Sequence, residues 1–438
     1  LDNAKIRLSA GSMGNGNVDP YSYTSEMTVA TASNIVLGGG LPSYTTVGST
    51  VPVSLTWEKS TTYDVGLDLD FFNNRLSVSG DYYRRYTTDM YTASVALPAV
   101  YGTGSPKGNN AEMKTDGWEL SLSWRDSFKL GGKPFDYSIK AMVWDSKSVI
   151  TKYVNDTGSL GTVKGFIENG GSPSSYYVGM TVGEIWGYTV AGLFRDQADI
   201  DSSAIHDFVQ ASDKVTRPGQ VKIADLDGNG FIDPGNFAVD DHGDLRIIGN
   251  QSPRYRYGVN LSARWNGIGL SVFLQGVGAR DWYPGSDAGM FWGKYGRPFF
   301  ALIPSIHNYT DDMYSAERNN WDTAYWPRMT TYQSNGTKNW TRLLEIPNTR
   351  YIQSAAYLRV KNIQLDYSFP KHICSAIRLQ GLKIYVNAEN LFTFTPLHKY
   401  APNFDPEGLS YDSDFASAAD GYTYPILKSV TVGVNITF

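Results

Sequence analysis

Asp225, Asp227, Asn229, Gly230 and Asp233 stand in an Asp-x-Asp-x-Asn-Gly-x-x-Asp stretch, the first nine places of an EF-hand-type loop. Hard oxygen donors at alternate places can wrap Ca²⁺; the seventh place, here Phe231, gives its carbonyl, and glycine at the sixth permits the sharp turn. The bidentate glutamate of the twelfth place is missing, since Asn236 stands there, and Asp240, Asp241 or Asp244 could substitute from the following residues. Two readings stay open: a calcium loop built on Asp225, Asp227, Asn229, Phe231 and Asp233, or an acidic, glycine-rich turn.

A second group of residues could bind rather than react. From Asp281 to Tyr351 the chain carries Trp282, Tyr283, Phe291, Trp292, Tyr295, Trp321 and Trp326, together with Phe299, Phe300, Tyr325, Tyr332 and Trp340. Aromatics at this density either stack on a ligand, pack a lid partner, or fold into a small core of their own. Catalytic patterns are missing. His206, His242, His307, His372 and His398 lie far apart without metal spacing. The doublets Asp240-Asp241 and Asp311-Asp312 do not make a glycosidase pair, because adjacent side chains diverge. No enzyme is expected.

The elements that must position these residues are long alternating strands. In the final stretch Val430, Val432, Val434, Ile436 and Phe438 fall on one side, and Ser429, Thr431, Gly433, Asn435 and Thr437 on the other. The design recurs as hairpins over 61–86, 117–144 and 255–275, with turns at Asn73-Asn74, Leu130-Gly131-Gly132 and Asn266-Gly267, and in a looser copy over 363–388. Each strand reads as about ten residues, the length a tilted strand needs to cross a bilayer. Aromatics gather at the strand ends, with Phe71, Phe72, Trp124, Phe135 and Trp265 at one side and Tyr63, Tyr86, Trp118 and Tyr255 at the other, as interfacial girdles do. Short turns at one end and long connections at the other give the orientation, turns in the periplasm and loops outside. Alternation of direction then requires an even number of membrane strands, zero or two, within 151–254 and again within 276–357. About ten strands result.

Composition agrees with a large sheet. The chain has 438 residues, aromatics at 14%, 44 glycines and charged residues at 18%, a low charge content that suits many strands and irregular loops. A net charge of −5 with no basic cluster argues against nucleic acid. The single cysteine, Cys374, excludes an intrachain disulfide. No apolar run is long enough for a membrane helix, which leaves strand-built spans untouched.

Particular stretches carry a family resemblance. Trp57-Glu58-Lys59-Ser60-Thr61-Thr62-Tyr63-Asp64-Val65-Gly66-Leu67, then Phe72-Asn73-Asn74-Arg75-Leu76, then the Asp225 to Asp233 loop with Ile248-Gly249-Asn250, resemble the SusC/RagA family of TonB-dependent outer-membrane transporters. Tyr357-Leu358-Arg359-Val360-Lys361-Asn362, Asn387-Ala388-Glu389-Asn390-Leu391-Phe392-Thr393 and the closing Tyr424 to Phe438 extend it over nearly the whole chain. The resemblance implies an all-β transmembrane antiparallel barrel, of which this chain is the C-terminal part, in the outer membrane of a Gram-negative bacterium. The complete barrel would have about 22 strands. Long extracellular loops are expected at about 13–60, 87–113, 151–254, 277–356 and 396–426.

The implied function is import of large nutrients, glycan oligosaccharides or peptides, powered through the TonB complex and capped by a SusD-like lipoprotein. The plug domain and TonB box of such transporters are not in this sequence, so residues before Leu1 are expected to supply them with about a dozen further strands. The terminal strand would pair with the first of those. Two other classes remain: a secreted carbohydrate-binding β-sandwich and a passive porin.

Overall fold

Ten strands follow one another in a single antiparallel sheet, each hydrogen-bonded to its neighbours in sequence. They are β1 (Asn3–Asn15), β2 (Glu58–Phe71), β3 (Leu76–Ala93), β4 (Lys107–Leu130), β5 (Lys133–Lys152), β6 (Arg254–Trp265), β7 (Ile268–Ala279), β8 (Tyr357–Ser368), β9 (Gly381–Phe394) and β10 (Ser429–Thr437). The computed structural model describes residues 1–16, 23–24, 27–48, 51, 55–93, 98, 100, 106–154, 176–206, 216–284, 288–292, 312–328, 347–409 and 426–438. Among these residues no strand between β5 and β6, or between β7 and β8, joins the sheet, so both even-number choices resolve to zero.

Register explains why one face is oily. Ile6, Leu67, Gly80, Leu120, Val143, Tyr257, Gly276, Leu358 and Phe394 follow one another across nine strands as direct partners. A second row runs Ile139, Leu261, Val272, Ile363, Ala388 and Val430. These faces stay open: Leu67 is 43% exposed, Leu365 53% and Val432 73%, and among the described residues no second sheet covers them. A sandwich would bury such a face, so the sandwich reading fails here and a lipid-facing wall fits.

Turn chemistry sets the hairpins at the short end. Asn266 and Gly267 both have positive φ, 47° and 86°, and Gly131 and Gly132 have 60° and 78°, the left-handed pair that a twisted two-residue hairpin requires. The first hairpin departs from expectation. Instead of a two-residue Asn73-Asn74 turn, Phe72, Asn73 and Asn74 all lie near +58° within a four-residue turn that closes at Leu76. The strands also differ from the expected ten residues, with β3, β4 and β5 running 18, 24 and 20. About 9–11 residues cross a bilayer, so these three rise well beyond it.

The buried core lies beyond the wall, in the long connections. Residues 184–188 pair with 245–250, 190–193 with 221–223, and 281–282 with 353–354. Around them pack Tyr188, Leu245, Trp282, Trp326 and Tyr351, each 0% exposed. Trp326 and Tyr351 stack at 5.7 Å, and Tyr325 stacks on Tyr400 at 3.6 Å with their planes 4° apart. This cap is tied to the wall. The Ile150 N–H donates to Met180 O at 2.9 Å and Val182 N–H to Ser148 O at 3.0 Å. Arg359, whose side chain is 2% exposed, reaches both Asp405 oxygens at 2.7 Å, Thr393 Oγ1 at 3.0 Å and Glu407 at 3.3 Å.

Two expectations follow. Arginine at Val432 or Leu261 is expected to cost about 2–4 kcal/mol of folding free energy in a bilayer, and much less at Thr431 or Asn435. A denaturant titration of vesicle-inserted protein measures both, and equal tolerance on the two faces would falsify a membrane wall. His206, in the cap, is held neutral: its Nδ1–H donates to Ala204 O at 2.9 Å while Nε2 accepts the Ile223 N–H at 3.0 Å. Burial depresses its pKa to about 4, below the value of about 6.5 in an unfolded chain. The stability it contributes is therefore full above the unfolded value and lost as pH falls toward the folded one. Hydrogen-exchange protection factors over 184–250, corrected for the intrinsic exchange rate at each pH, should fall between pH 7 and pH 5, and His206→Gln should flatten that dependence.

Candidate functional site

Three groupings of polar or aromatic residues can do something: the acidic loop of the cap, its aromatic segment, and the inner face of the wall.

In the acidic loop, short-range hydrogen bonds fold the chain back on itself. Asp225 accepts the N–H groups of Gly228 at 2.7 Å and Gly230 at 2.9 Å, and Asp227 accepts Asn229 N–H at 3.0 Å. Gly228 and Gly230 take φ of 76° and 85°, which the tight reversal needs. Carboxylate oxygens of Asp225, Asp227 and Asp244 converge within 4.8 Å of one another. Among the three residues left open to complete the loop, Asp244 is therefore the one the fold brings in. Its Oδ1 accepts Leu226 N–H at 2.6 Å and its Oδ2 accepts Asp233 N–H at 3.0 Å, so it staples both ends of the loop. Asp241 is engaged elsewhere, by the Asn236 side chain.

The expected donor set is only partly assembled. Asp233 turns its carboxylate to Gly235 N–H, 2.7 Å, and to the Asn229 amide, 3.0 Å, rather than into the convergence. Asn229 Oδ1 accepts Phe231 N–H at 2.7 Å, and the Phe231 ring stands 47% exposed. Electrostatics separate the two ends of the cluster. Burial, reinforced by Asp227 and Asp225, raises the Asp244 pKa, whereas backbone N–H groups, Gly230 first, lower that of Asp225. A buried carboxylate beside two others is the arrangement that a divalent cation relieves.

The aromatic segment is a core, which corrects the expectation of contact residues. Trp282 and Trp326 are 0% exposed, Phe291 1%, and Tyr283 and Trp292 3%. They pack on one another and on Phe404, and Trp321 packs partly buried against the same core. Tyr295 lies outside the described residues, as do Phe299, Phe300, Tyr332, Trp340, His307 and Asp311. Sequence density of aromatics signals burial and contact alike, so only packing separates them. Of the other histidines, His242 Nδ1 meets Arg246 Nη1 at 2.9 Å and His398 faces the Phe404 carbonyl at 3.3 Å.

On the inner face the polar alternation becomes ion pairs. Arg7 meets Asp68 and Asp81, each at 2.8 Å, across three strands. Asp366 holds Arg264 and Lys383, both at 3.4 Å, and Arg75 reaches Asp126 at 3.3 Å. A cleft of about 810 Å³ lies among Arg75, Arg125, Asp136, Arg264, Asp366 and Lys383. Strand alternation puts Gly66, Asp68, Asp70, Glu119, Arg256, Asn260 and Glu389 on this face but does not show which of them pair. Gly66 shows why partners must be seen in three dimensions: a Cβ there would stand 2.7 Å from the Arg7 guanidinium.

Comparison with known proteins agrees with this geometry. Residues 2–198 match the family model described as TonB dependent receptor-like, beta-barrel. TonB-dependent receptor P3 of Formosa agariphila is 26% identical, with 99% of this chain aligned to 39% of that protein. TonB-dependent receptor SusC of Bacteroides thetaiotaomicron is 24% identical, over 100% of this chain and 38% of the relative. The structure of the RagAB peptide transporter superposes at a TM-score of 0.67 and 18% identity, covering 100% of this chain and 40% of that one. The chain thus spans about two fifths of the length of the relatives it matches. Residues 2–198 carry the match to the TonB-dependent receptor β-barrel family, and over nearly its whole length the chain is similar in sequence to TonB-dependent receptors and in fold to the RagAB structure.

Proposed function

We propose that the receptor carrying this chain imports large nutrients, peptides or glycan oligosaccharides, driven through TonB and closed outside by a SusD-like lipoprotein. The observation that carries this reading is a folded aromatic cap standing at the long-loop end of a membrane wall, anchored by the Arg359, Asp405 and Glu407 cluster. Such a cap is a rigid platform for a partner. Similarity in fold to the RagAB peptide transporter supports peptides, and the SusC/RagA resemblance leaves glycans beside them. A passive porin is disfavoured, because acids on the inner wall such as Asp68, Asp81 and Asp366 are matched by cations rather than left to line a pore.

Since Trp282, Phe291, Trp292 and Trp326 are internal, a lid would meet other side chains. Ile205 and Phe231 are adjacent through a parallel bridge and 46% and 47% exposed, with Leu226 at 40% nearby in the loop. Replacing Ile205 and Phe231 by serine should reduce co-purification of the lipoprotein while heat-modifiable migration of the barrel persists. An unchanged complex would remove this surface from the lid reading. Uptake of a labelled peptide and a labelled oligosaccharide, each with and without TonB, decides between the two cargo classes.

A second reading concerns the acidic loop, where three carboxylates converge within 4.8 Å and one is fully buried. It binds one Ca²⁺ through Asp225, Asp227 and Asp244, with the Asn229 side chain and Phe231 carbonyl completing the shell. Extracellular calcium modules have dissociation constants of about 10⁻⁴–10⁻³ M, so millimolar Ca²⁺ should slow proteolysis of the cap. Asp227→Ala should abolish that protection and leave the wall intact. Equal proteolysis rates with Ca²⁺ and with chelator would leave an acidic turn instead.

A further inference from the structure

The outer face of the wall changes character one row above its aromatic residues. Across β2 to β5 the partners run Tyr63, Arg84, Asp116 and Lys147. The next row toward the long-loop end runs Thr61, Tyr86, Lys114 and Val149. Below them the same face runs through Val65, Tyr82, Trp118 and Asp145, the last paired with Arg254, and is then apolar through Leu67, Gly80, Leu120 and Val143. Arg84 therefore sits among Tyr63, Tyr82 and Tyr86, at the level where an aromatic girdle meets headgroups.

Charges in this patch do not cancel. Asp116 alone serves Arg84 Nε at 2.5 Å and Lys114 Nζ at 3.2 Å, and also accepts the Tyr82 hydroxyl at 3.1 Å. Lys147, its exposed cross-strand neighbour, has no acidic partner within 4 Å among the described residues. Asp145, next to Lys147 on the same face, is closed off by Arg254 at 2.6 Å, and Glu112 higher up is taken by Lys152 at 3.4 Å. Two cations thus share one carboxylate, and a third, Lys147, stands beside them without one, on a surface that cannot turn inward. With strands about 4.8 Å apart and about 3.4 Å per residue, they span about 10 Å by 7 Å, the scale of a phosphorylated headgroup. Arginine and lysine at such depth recruit phosphate oxygens, by a guanidinium fork and a point charge respectively.

We infer that Arg84, Lys114 and Lys147 form a binding site on the outside of the barrel for a phosphate of the outer-leaflet glycolipid. The site is independent of cargo and of the cap. It would fix the barrel's depth at the girdle and hold a shell of glycolipid against β3 to β5.

The test uses the whole receptor carrying this chain, delipidated in detergent and titrated with phosphorylated lipid A under native mass spectrometry. Wild type should retain the lipid, and K147Q, which loses no ion pair within the protein, should weaken it about fivefold. The R84Q/K114Q/K147Q variant should lose it while keeping heat-modifiable migration. Dephosphorylated lipid A should bind no better than that variant binds the phosphorylated form. Unchanged affinity in K147Q and in the triple variant, or equal binding of dephosphorylated lipid A, overturns the site. Equal binding of phosphatidylglycerol overturns the glycolipid assignment as well.

Discussion

Backbone hydrogen bonding in a medium without water governs this molecule. Each unpaired N–H or C=O in hydrocarbon costs several kcal/mol, so a strand can cross only where both neighbours pair it throughout. The interior strands β2 to β9 meet that condition, each with partners on two sides. β1 and β10 are the two edges of the sheet and each has one partner. Such edges do not persist unpaired in lipid, so β1 and β10 are the strands at which a membrane wall still needs a partner.

Pairing in register then fixes which side chains meet lipid. Because alternation has period two, one slip would turn Leu67, Leu120 and Leu261 inward and send Asp68, Glu119 and Asn260 into the bilayer. The left-handed pairs Asn266-Gly267 and Gly131-Gly132 guard against this by fixing loop length at the short end. Tyr257 adds a side-chain lock, crossing Gly276 so that its hydroxyl donates to the Tyr357 carbonyl at 3.1 Å. A Cβ on Gly276 would lie 2.3 Å from that ring, so the lock depends on glycine.

Beyond the bilayer the rules change, because water returns and a core can be built. β3, β4 and β5 carry their pairing upward past the membrane, and the cap docks on β5 through Ser148 and Ile150 and on β8 through Arg359. Burying Arg359 is tolerable only with its acids beside it. Removing one partner of such a pair typically costs about 3–5 kcal/mol, since the other charge stays buried. The cap is therefore coupled to the wall by a charge cluster as well as by packing, and forces on one reach the other.

Period-two alternation and turn residues were enough to read the wall, its ten strands and its lipid face, whereas the choice between zero and two membrane strands in each long connection was left to the pairing of β5 with β6 and of β7 with β8. Those features are local: each follows from residues within a dozen places of one another, and lipid imposes the same rule on all of them. The acidic loop was legible for the same reason, although the loop's own ligand spacing left Asp240, Asp241 and Asp244 equivalent. Tertiary structure chose Asp244, because only the strand at Leu245 brings its carboxylate under Leu226 and Asp233. It also turned Trp282, Tyr283, Phe291, Trp292 and Trp326 from contact surface into core, and joined Arg359 to Asp405 and Arg7 to Asp68 and Asp81. Those partners lie 46, 61 and 74 residues apart. No periodicity spans such distances, so their meeting is decided by how the connections fold back on the wall.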